Sequence, residues 1–365
     1  MTIVASPSEL KCDSSSGLPV KLFQAARLIR QGELVAFPTE TVYGLGANAA
    51  NPDAVAKIFQ AKGRPTDNPL IVHIASADMW TALARGINDR ALSLAERFWP
   101  GPLTIVLPRT DAVPDVVTAG LDTVGVRMPS HPLALALIRE SGCPLAAPSA
   151  NRSGRPSPTT AQAVLDDMGG IIPMILDGGS CSVGVESTVL DLSGVTPVVL
   201  RPGGVTVEAL REYLPDLAVD PSALAPLSDI QRAASPGMKH RHYAPRIPLT
   251  IVTGERQANI LAYQYDNAVT KGETPVLLTT NETAQVLFPR RCITLGSRND
   301  LERVSSQLFG ALRGIDESGA TVAFAESYPV EGAGLALMNR LLRAAGFNTV
   351  NTVNTVNSDY TSNRL

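Results

Sequence analysis

The sequence contains no apolar run of the roughly 20 residues that a membrane-crossing helix needs. Its first residues, MTIVASPSELKCDSSSG, have neither the basic start nor the apolar core of a signal peptide. These absences predict a soluble, cytoplasmic protein with no membrane partner. Cysteine is scarce: Cys12, Cys143, Cys181 and Cys292 lie far apart and form no CxxC or Cys/His pair of ligand spacing. They read as reduced thiols rather than as a disulfide framework or a zinc site. There is no GxxxxGK[ST], which excludes a P-loop, and no GxGxxG follows a strand at the start of either half. No GxSxG elbow occurs, and the histidines His73, His131, His240 and His242 form no HExxH. Neither a covalent nucleophile nor a metal held by the protein alone is indicated. An excess of one charge is missing too. Lys and Arg number 31 and Asp and Glu 34, and the net charge of −3 argues against a basic nucleic-acid coat while leaving room for a local basic cleft.

What is present is a globular chain of 365 residues, 44% hydrophobic and 18% charged, long enough for about two domains. Residues 18–31 predict an amphipathic helix with Leu22, Ala25, Ala26 and Ile29 on one face, ended by Gly32. ELVAFP reads as a buried strand and PTETVYGLG as the loop after it. Asn51-Pro52-Asp53 starts a helix, AVAKIFQAK, and PLIVHIA is the next strand. Helical patterns at 78–83 and 88–98 precede the apolar runs LTIVLP, TVGVRMP, CPLAAPSAN, MILDGG, STVLDLS and PVVLRPGG. The interleaving predicts an α/β class. From about Leu214 the periodicity fades across more than thirty proline-containing residues, which reads as a linker. A smaller α/β unit follows, with strands PLTIVTG, TPVLLTT, RCITLGS and ATVAFAESYP and helices at 300–313 and GLALMNRLLRAA. The expected division is 1–213, a linker over 214–246, a second domain over 247–345, and a disordered tail over 346–365 containing the NTV repeat.

Polar residues recur where the apolar strands of the first domain end, the place where ligands bind in open α/β sheets. Lys62 and Arg64 stand two apart at a helix end, where cations are mildly favoured for structural reasons alone. Taken singly, each reads as a solvated side chain. Arg127 and Arg201 end apolar strands, so they are partly desolvated and need an anion: a ligand phosphate or carboxylate, or an internal Asp or Glu. The loop SANRSGRPSPT, Ser149–Thr159, supplies hydroxyls, an amide and backbone N–H groups, either for phosphates or as an ordinary polar turn. His73, alone in PLIVHIA, reads as a core residue before it reads as a catalyst. By residues alone, the chain is an α/β protein with a strand-end cleft suited to a nucleotide.

PTETVYGLG, KGRPTDNPL, WPGPLTIVL, VGVRMP, APSANRSGRPSPT, ESTVLDL, LRPGG and SPGMKHRHYAP occur in that order. Together they resemble the YrdC-type threonylcarbamoyl-AMP synthases in their long form, over roughly residues 18–345. The resemblance implies a YrdC-like twisted mixed sheet with a concave strand-end cleft, and a smaller Rossmann-like C-terminal α/β domain. It implies synthesis of threonylcarbamoyl-AMP and pyrophosphate from L-threonine, bicarbonate and ATP, with Mg2+ carried by the ATP phosphates. It also implies a downstream enzyme that passes the threonylcarbamoyl group to adenosine 37 of tRNA; contact with tRNA or other RNA stays open. By the same similarity Thr41, His73, Ser187 and the backbone at Ala147 would hold threonine. Lys62, Arg64, Asn68, Thr123, Arg127, Ser149, Asn151, Ser157 and Arg201 would hold ATP, and Tyr243 would reach in from a linker acting as a lid. A competing reading is a double-stranded RNA-binding or ribosome-associated protein, with Arg152, Arg155 and Lys239–His242 as a basic rim. A third, a carbamoyl-adenylate former of the hydrogenase-maturation kind, lacks the cysteines it would need.

Overall fold

A computed structural model describes residues 1–6, 9, 20–226 and 242–351. Contacts divide the chain into two units, Met1–Ser153 with Ser157–His240, and Gly154–Pro156 with Arg241–Leu365. Among the described residues, no helix is long and apolar enough to cross a membrane.

The first unit is built on eleven strands: β1 (Ile3–Ala5), β2 (Val35–Phe37), β3 (Gly44–Asn48), β4 (Ile71–His73), β5 (Leu103–Pro108), β6 (Thr123–Arg127), β7 (Leu145–Ala146), β8 (Met174–Leu176), β9 (Thr188–Asp191), β10 (Val198–Arg201) and β11 (Ala218–Val219). They form one mixed sheet in the order β1-β8-β2-β3-β7-β4-β6-β5-β9-β10-β11. The apolar face anticipated for the first helix, Val20–Arg30, is what it buries: Leu22, Ala25, Ala26 and Ile29 pack with Val35, Phe37, Leu137 and Met174. Helix Pro52–Lys62 begins and ends by its local chemistry. The Asn51 side chain accepts from the N–H groups of Asp53 and Ala54, and Gly63 closes the helix at φ 62°. Two registers position the polar residues. β4 and β6 run parallel with His73 opposite Arg127, and β5 and β9 run parallel with Leu103 opposite Thr188.

The second unit has five strands, β12 (Leu249–Thr253), β13 (Pro275–Thr279), β14 (Cys292–Thr294), β15 (Val322–Glu326) and β16 (Thr349–Asn351), in the order β14-β13-β15-β12-β16. Every pairing is parallel. Parallel strands need long crossovers. Helices Gln257–Thr270, Asn281–Leu287, Leu301–Glu317 and Ala333–Ala344 supply them. The sheet is Rossmann-like in its parallel strands and crossovers, with the fourth strand inserted between the first and the second.

Two expected boundaries move. Part of the segment expected as linker belongs to the first sheet, because Ala218–Val219 pairs with Val198–Val199. Residues 349–351, expected within the tail, belong to the second sheet, because Thr349–Asn351 pairs with Ile251–Thr253. In both cases a short, weakly apolar segment becomes a strand because a sheet edge offers unpaired N–H and C=O groups. Cys12, residues 227–241 of the expected linker and lid, and residues 352–365 lie outside the described residues.

Candidate active site

The loop after β2 is drawn inward by its own hydroxyls. Thr39 Oγ1 donates to Val42 O at 2.6 Å, accepts from the N–H groups of Thr41 and Val42 at 3.2 Å, and shares a 2.8 Å bond with Thr41 Oγ1. Backbone bonds then tie this loop to the serine-rich loop. Tyr43 N donates to Pro158 O, Ala150 N to Tyr43 O, and Leu45 N to Pro148 O, all within 2.9 Å. The Tyr43 hydroxyl reaches a third loop, donating to Gly179 O at 2.7 Å and accepting from Gly178 N at 3.1 Å. PTETVYGLG thus gathers three segments around one place.

Arg127 faces it from the end of β6. Its Nη1 donates to Thr41 Oγ1 at 2.9 Å, and its Nη2 lies 2.6 Å from Glu40 Oε1. Glu40 Oε2 accepts from Ser130 N at 3.1 Å. The anion demanded by this strand-end arginine is therefore an internal one. Sequence reasoning kept that option open without naming Glu40, although Glu40 sits inside the motif already singled out. His73, beside Arg127 on β4, is buried with its ring edge-on to Phe37 at 5.9 Å. Burial first, then the Arg127 charge, lowers its pKa to about 3, so the imidazole is neutral at ordinary pH. Its Nδ1 has no hydrogen-bond partner among the described residues.

Lys62 departs from the solvated reading. Helix termination at Gly63 turns it inward, where it is 4% exposed and donates from Nζ to Ser149 O and Asn151 O, each at 2.5 Å. Ser153 N returns a bond to Lys62 O at 2.8 Å. Burial, and then Arg64, push its pKa well below the usual lysine range, and the two carbonyls are what make the site tolerable for an ammonium group. The turn it holds is further closed by Ser149 Oγ donating to Asn151 Oδ1 at 2.5 Å. Arg64 stays half-buried and donates to Asn68 O at 3.4 Å and Pro69 O at 3.2 Å. Asn68 itself is 1% exposed, and neither atom of its amide has a hydrogen-bond partner among the described residues.

The far wall comes from β5, β9 and β10. Ser187 Oγ bonds Thr104 Oγ1 at 2.8 Å, and Arg201 Nη2 donates to Ser187 O at 2.9 Å and Oγ at 3.2 Å. Ser157 Oγ donates to Glu186 Oε1 at 2.6 Å. Glycine is required in LRPGG: a Cβ on Gly203 would lie 2.3 Å from both Glu186 O and Thr188 N. Ala147 lies between β4 and β3, its N–H donating to Ile71 O at 3.0 Å. Thr123 stands apart, opening β6 four residues before Arg127 and so roughly 13 Å along the strand. Tyr243 belongs to the second unit, where its buried ring packs on Phe309 at 5.0 Å and Arg340 lies over it at 6.0 Å. Glu40, Glu186 and Thr104 escaped sequence reasoning, since each gains its importance only from a partner far away in the chain.

The serine-rich loop's arginines bear on the RNA-binding reading. Arg152 Nε donates to Asp167 O at 3.0 Å, and Arg155 lies 3.8 Å from Asp316 within the second unit. Arg152 is exposed and Arg155 half-buried, and each already has a partner within the protein.

Comparison with known proteins gives a consistent picture. The family model of the Sua5, YciO and YrdC proteins, described as telomere recombination, matches residues 27–203, and that of the threonylcarbamoyl-AMP synthase C-terminal domain matches residues 205–346. The chain is 51% identical over 329 residues to the threonylcarbamoyl-AMP synthase of Bacillus subtilis, covering 89% of this chain and 93% of that protein. The crystal structure of Pyrococcus abyssi Sua5 complexed with L-threonine is similar with a TM-score of 0.86 and 46% identity, over 91% of this chain and 96% of that one. A doubly substituted P. abyssi Sua5 gives a TM-score of 0.88 at 42% identity, over 96% of this chain and 98% of that one.

Proposed function

The chain belongs to the threonylcarbamoyl-AMP synthases, in the form with a C-terminal domain, and from that premise we propose how its residues divide the work. The reaction is synthesis of threonylcarbamoyl-AMP from L-threonine, bicarbonate and ATP, with release of pyrophosphate. The threonine amine must lose its proton to attack CO2, or bicarbonate with loss of water, and so give the carbamate. The carbamate oxygen then attacks the α-phosphorus of ATP and expels pyrophosphate. No step needs a covalent enzyme nucleophile. The protein has to hold three substrates together, offset phosphate charge and keep water from the carbamate.

In our reading Thr41, His73, Ser187 and the backbone at Ala147 hold threonine. The neutral His73 offers a hydrogen bond without adding charge beside the amine. Arg64 and Asn68 meet the phosphates with Ser149, Asn151, Ser157 and Arg201. Lys62 acts with them by fixing the Ser149–Asn151 turn. Arg127 is already matched by Glu40 and also donates to Gly101 O, so its part is to aim Thr41 beside the nucleotide. Thr123 takes the nucleotide's distal end. Among the described residues no three His, Cys, Asp or Glu stand together to ligate a metal. Mg2+ would enter with the ATP phosphates, which Arg64 and Asn68 would face. A tRNA threonylcarbamoyl-transferase consumes the product.

The observation that carries this reading is the Asn68 amide, buried with both atoms unmet next to the arginine of KGRP. Buried polar groups in folded proteins are almost always paired, so an unmet amide beside Arg64 is suited to a ligand. The test is pyrophosphate release from ATP and bicarbonate, with L-threonine or L-serine. Release should depend on threonine, and Asn68→Ala should lose at least tenfold in kcat/KM while unfolding at the wild-type urea midpoint. Equal release without threonine, or an unimpaired Asn68→Ala, would refute it.

A further inference from the structure

The second unit contains a cavity of about 410 Å3 that the proposed reaction does not use. That volume suits a small ligand. Its walls are the loops that follow β12, β13, β14 and β15. Because all these strands are parallel, their C-terminal ends lie on one side. The chain runs from β12 to β13, out to β14, and returns to insert β15 between β12 and β13. Crevices at such ends are where open parallel sheets take ligands.

The charges in the cavity are sorted. Glu326 is 4% exposed and already satisfied. It accepts from the Thr280 N–H, from Thr283 Oγ1 at 2.6 Å and from the Tyr328 hydroxyl at 3.3 Å, with Arg298 3.7 Å away. That carboxylate therefore acts as scaffold. Arg298 also donates to Thr283 Oγ1 at 2.6 Å yet keeps 56% of its side chain in solvent. Arg256 has no carboxylate partner among the described residues. It stands in the left-handed region, φ 59°, at the start of the 14-residue helix Gln257–Thr270, which has no side-chain cap bond. One satisfied carboxylate, two arginines and uncapped first-turn N–H groups leave the cavity short of negative charge.

We propose that this cavity is a second ligand site, for a small molecule bearing a phosphate or pyrophosphate group. Arg256, Arg298 and the first N–H groups of helix Gln257–Thr270 hold the anion, and Tyr328 and Leu301 line the side open to its organic part. The site stands on its own geometry and is independent of the roles assigned in the first unit.

The test titrates the full-length protein with AMP, adenosine and inorganic pyrophosphate while amide hydrogen exchange is followed. The phosphate-bearing probes should slow exchange across 254–258 and 280–283, and adenosine should not. Protection by AMP alone identifies a nucleoside phosphate. Protection by pyrophosphate as well shows that the phosphate group suffices. Arg256→Ser and Arg298→Gln should each weaken that protection about tenfold or more, while Arg256→Lys recovers part of it. Unchanged exchange elsewhere in the second unit serves as the folding control. Protection confined to 64–73 would overturn the second site and leave the active-site reading intact. Equal protection by adenosine would overturn the assignment of a phosphate.

Discussion

In the first unit three cations at strand or helix ends are inside the protein. Arg127 is held by Glu40 and Thr41, Arg201 by Ser187, and Lys62 by two carbonyls, and all three are at most 5% exposed. Around the second unit's cavity the arrangement is reversed: the carboxylate Glu326 is buried, and Arg256 and Arg298 face solvent. The difference teaches which functions can be separated from folding. Where ligand groups are also core groups, a substitution strikes stability and binding together. Where they stand at a rim, binding can be lost alone.

The largest effect should come from splitting the buried ion pair. Glu40→Gln leaves Arg127 uncompensated in the interior, which costs about 3–5 kcal/mol. Urea unfolding would register it, and adding Arg127→Met should recover much of the loss. A wild-type midpoint for Glu40→Gln would erase the contrast between the units. Gly203→Ala comes next. Its Cβ meets backbone atoms that cannot swing aside, so about 3 kcal/mol of destabilisation is expected, together with lost turnover as ESTV is displaced.

Acid sharpens the comparison further. The His73 pKa falls from 6.5 in the open chain to about 3 in the fold, so between those values the unfolded state binds the extra proton. Stability then rises with pH across that window and is lost as pH falls. From pH 7 to 5 the wild type should lose about 2 kcal/mol that His73→Gln does not, and parallel denaturation curves at the two pH values would show it. Identical losses in both proteins would mean that His73 is not buried as a neutral ring. The smallest effect belongs to the rim. Arg256→Ser should change stability by no more than about 0.5 kcal/mol. A larger shift in its melting temperature would place Arg256 within the core logic of the first unit.

Local chemistry was readable in advance. Asn51, Pro52 and Gly63 define a helix by short-range rules, and the alternation of apolar strands with helices indicated the α/β class. The motifs pointed to the segments that now meet around Thr41. The partners did not show. Glu40 and Arg127 are 87 positions apart and Ser157 and Glu186 are 29 apart, and what joins them is sheet order, which periodicity does not encode. The same gap explains Lys62: a helix-end lysine looks solvated until another loop closes over it. The second unit's cavity carries no motif, because its walls are four loops that a parallel sheet happens to bring to one side.

The strand order of that sheet also has a bearing on time. β12 lies between β15 and β16, so the first strand of the second unit to be made has as neighbours the last two. Residue 322 follows residue 253 by 69 positions. At about 5–20 residues per second, translation leaves Leu249–Thr253 without a native neighbour for roughly 3–14 s. A ribosome stalled late in that interval, once the strand has left the exit tunnel, would display an apolar strand with both edges open, and chaperones that bind such segments would find it there.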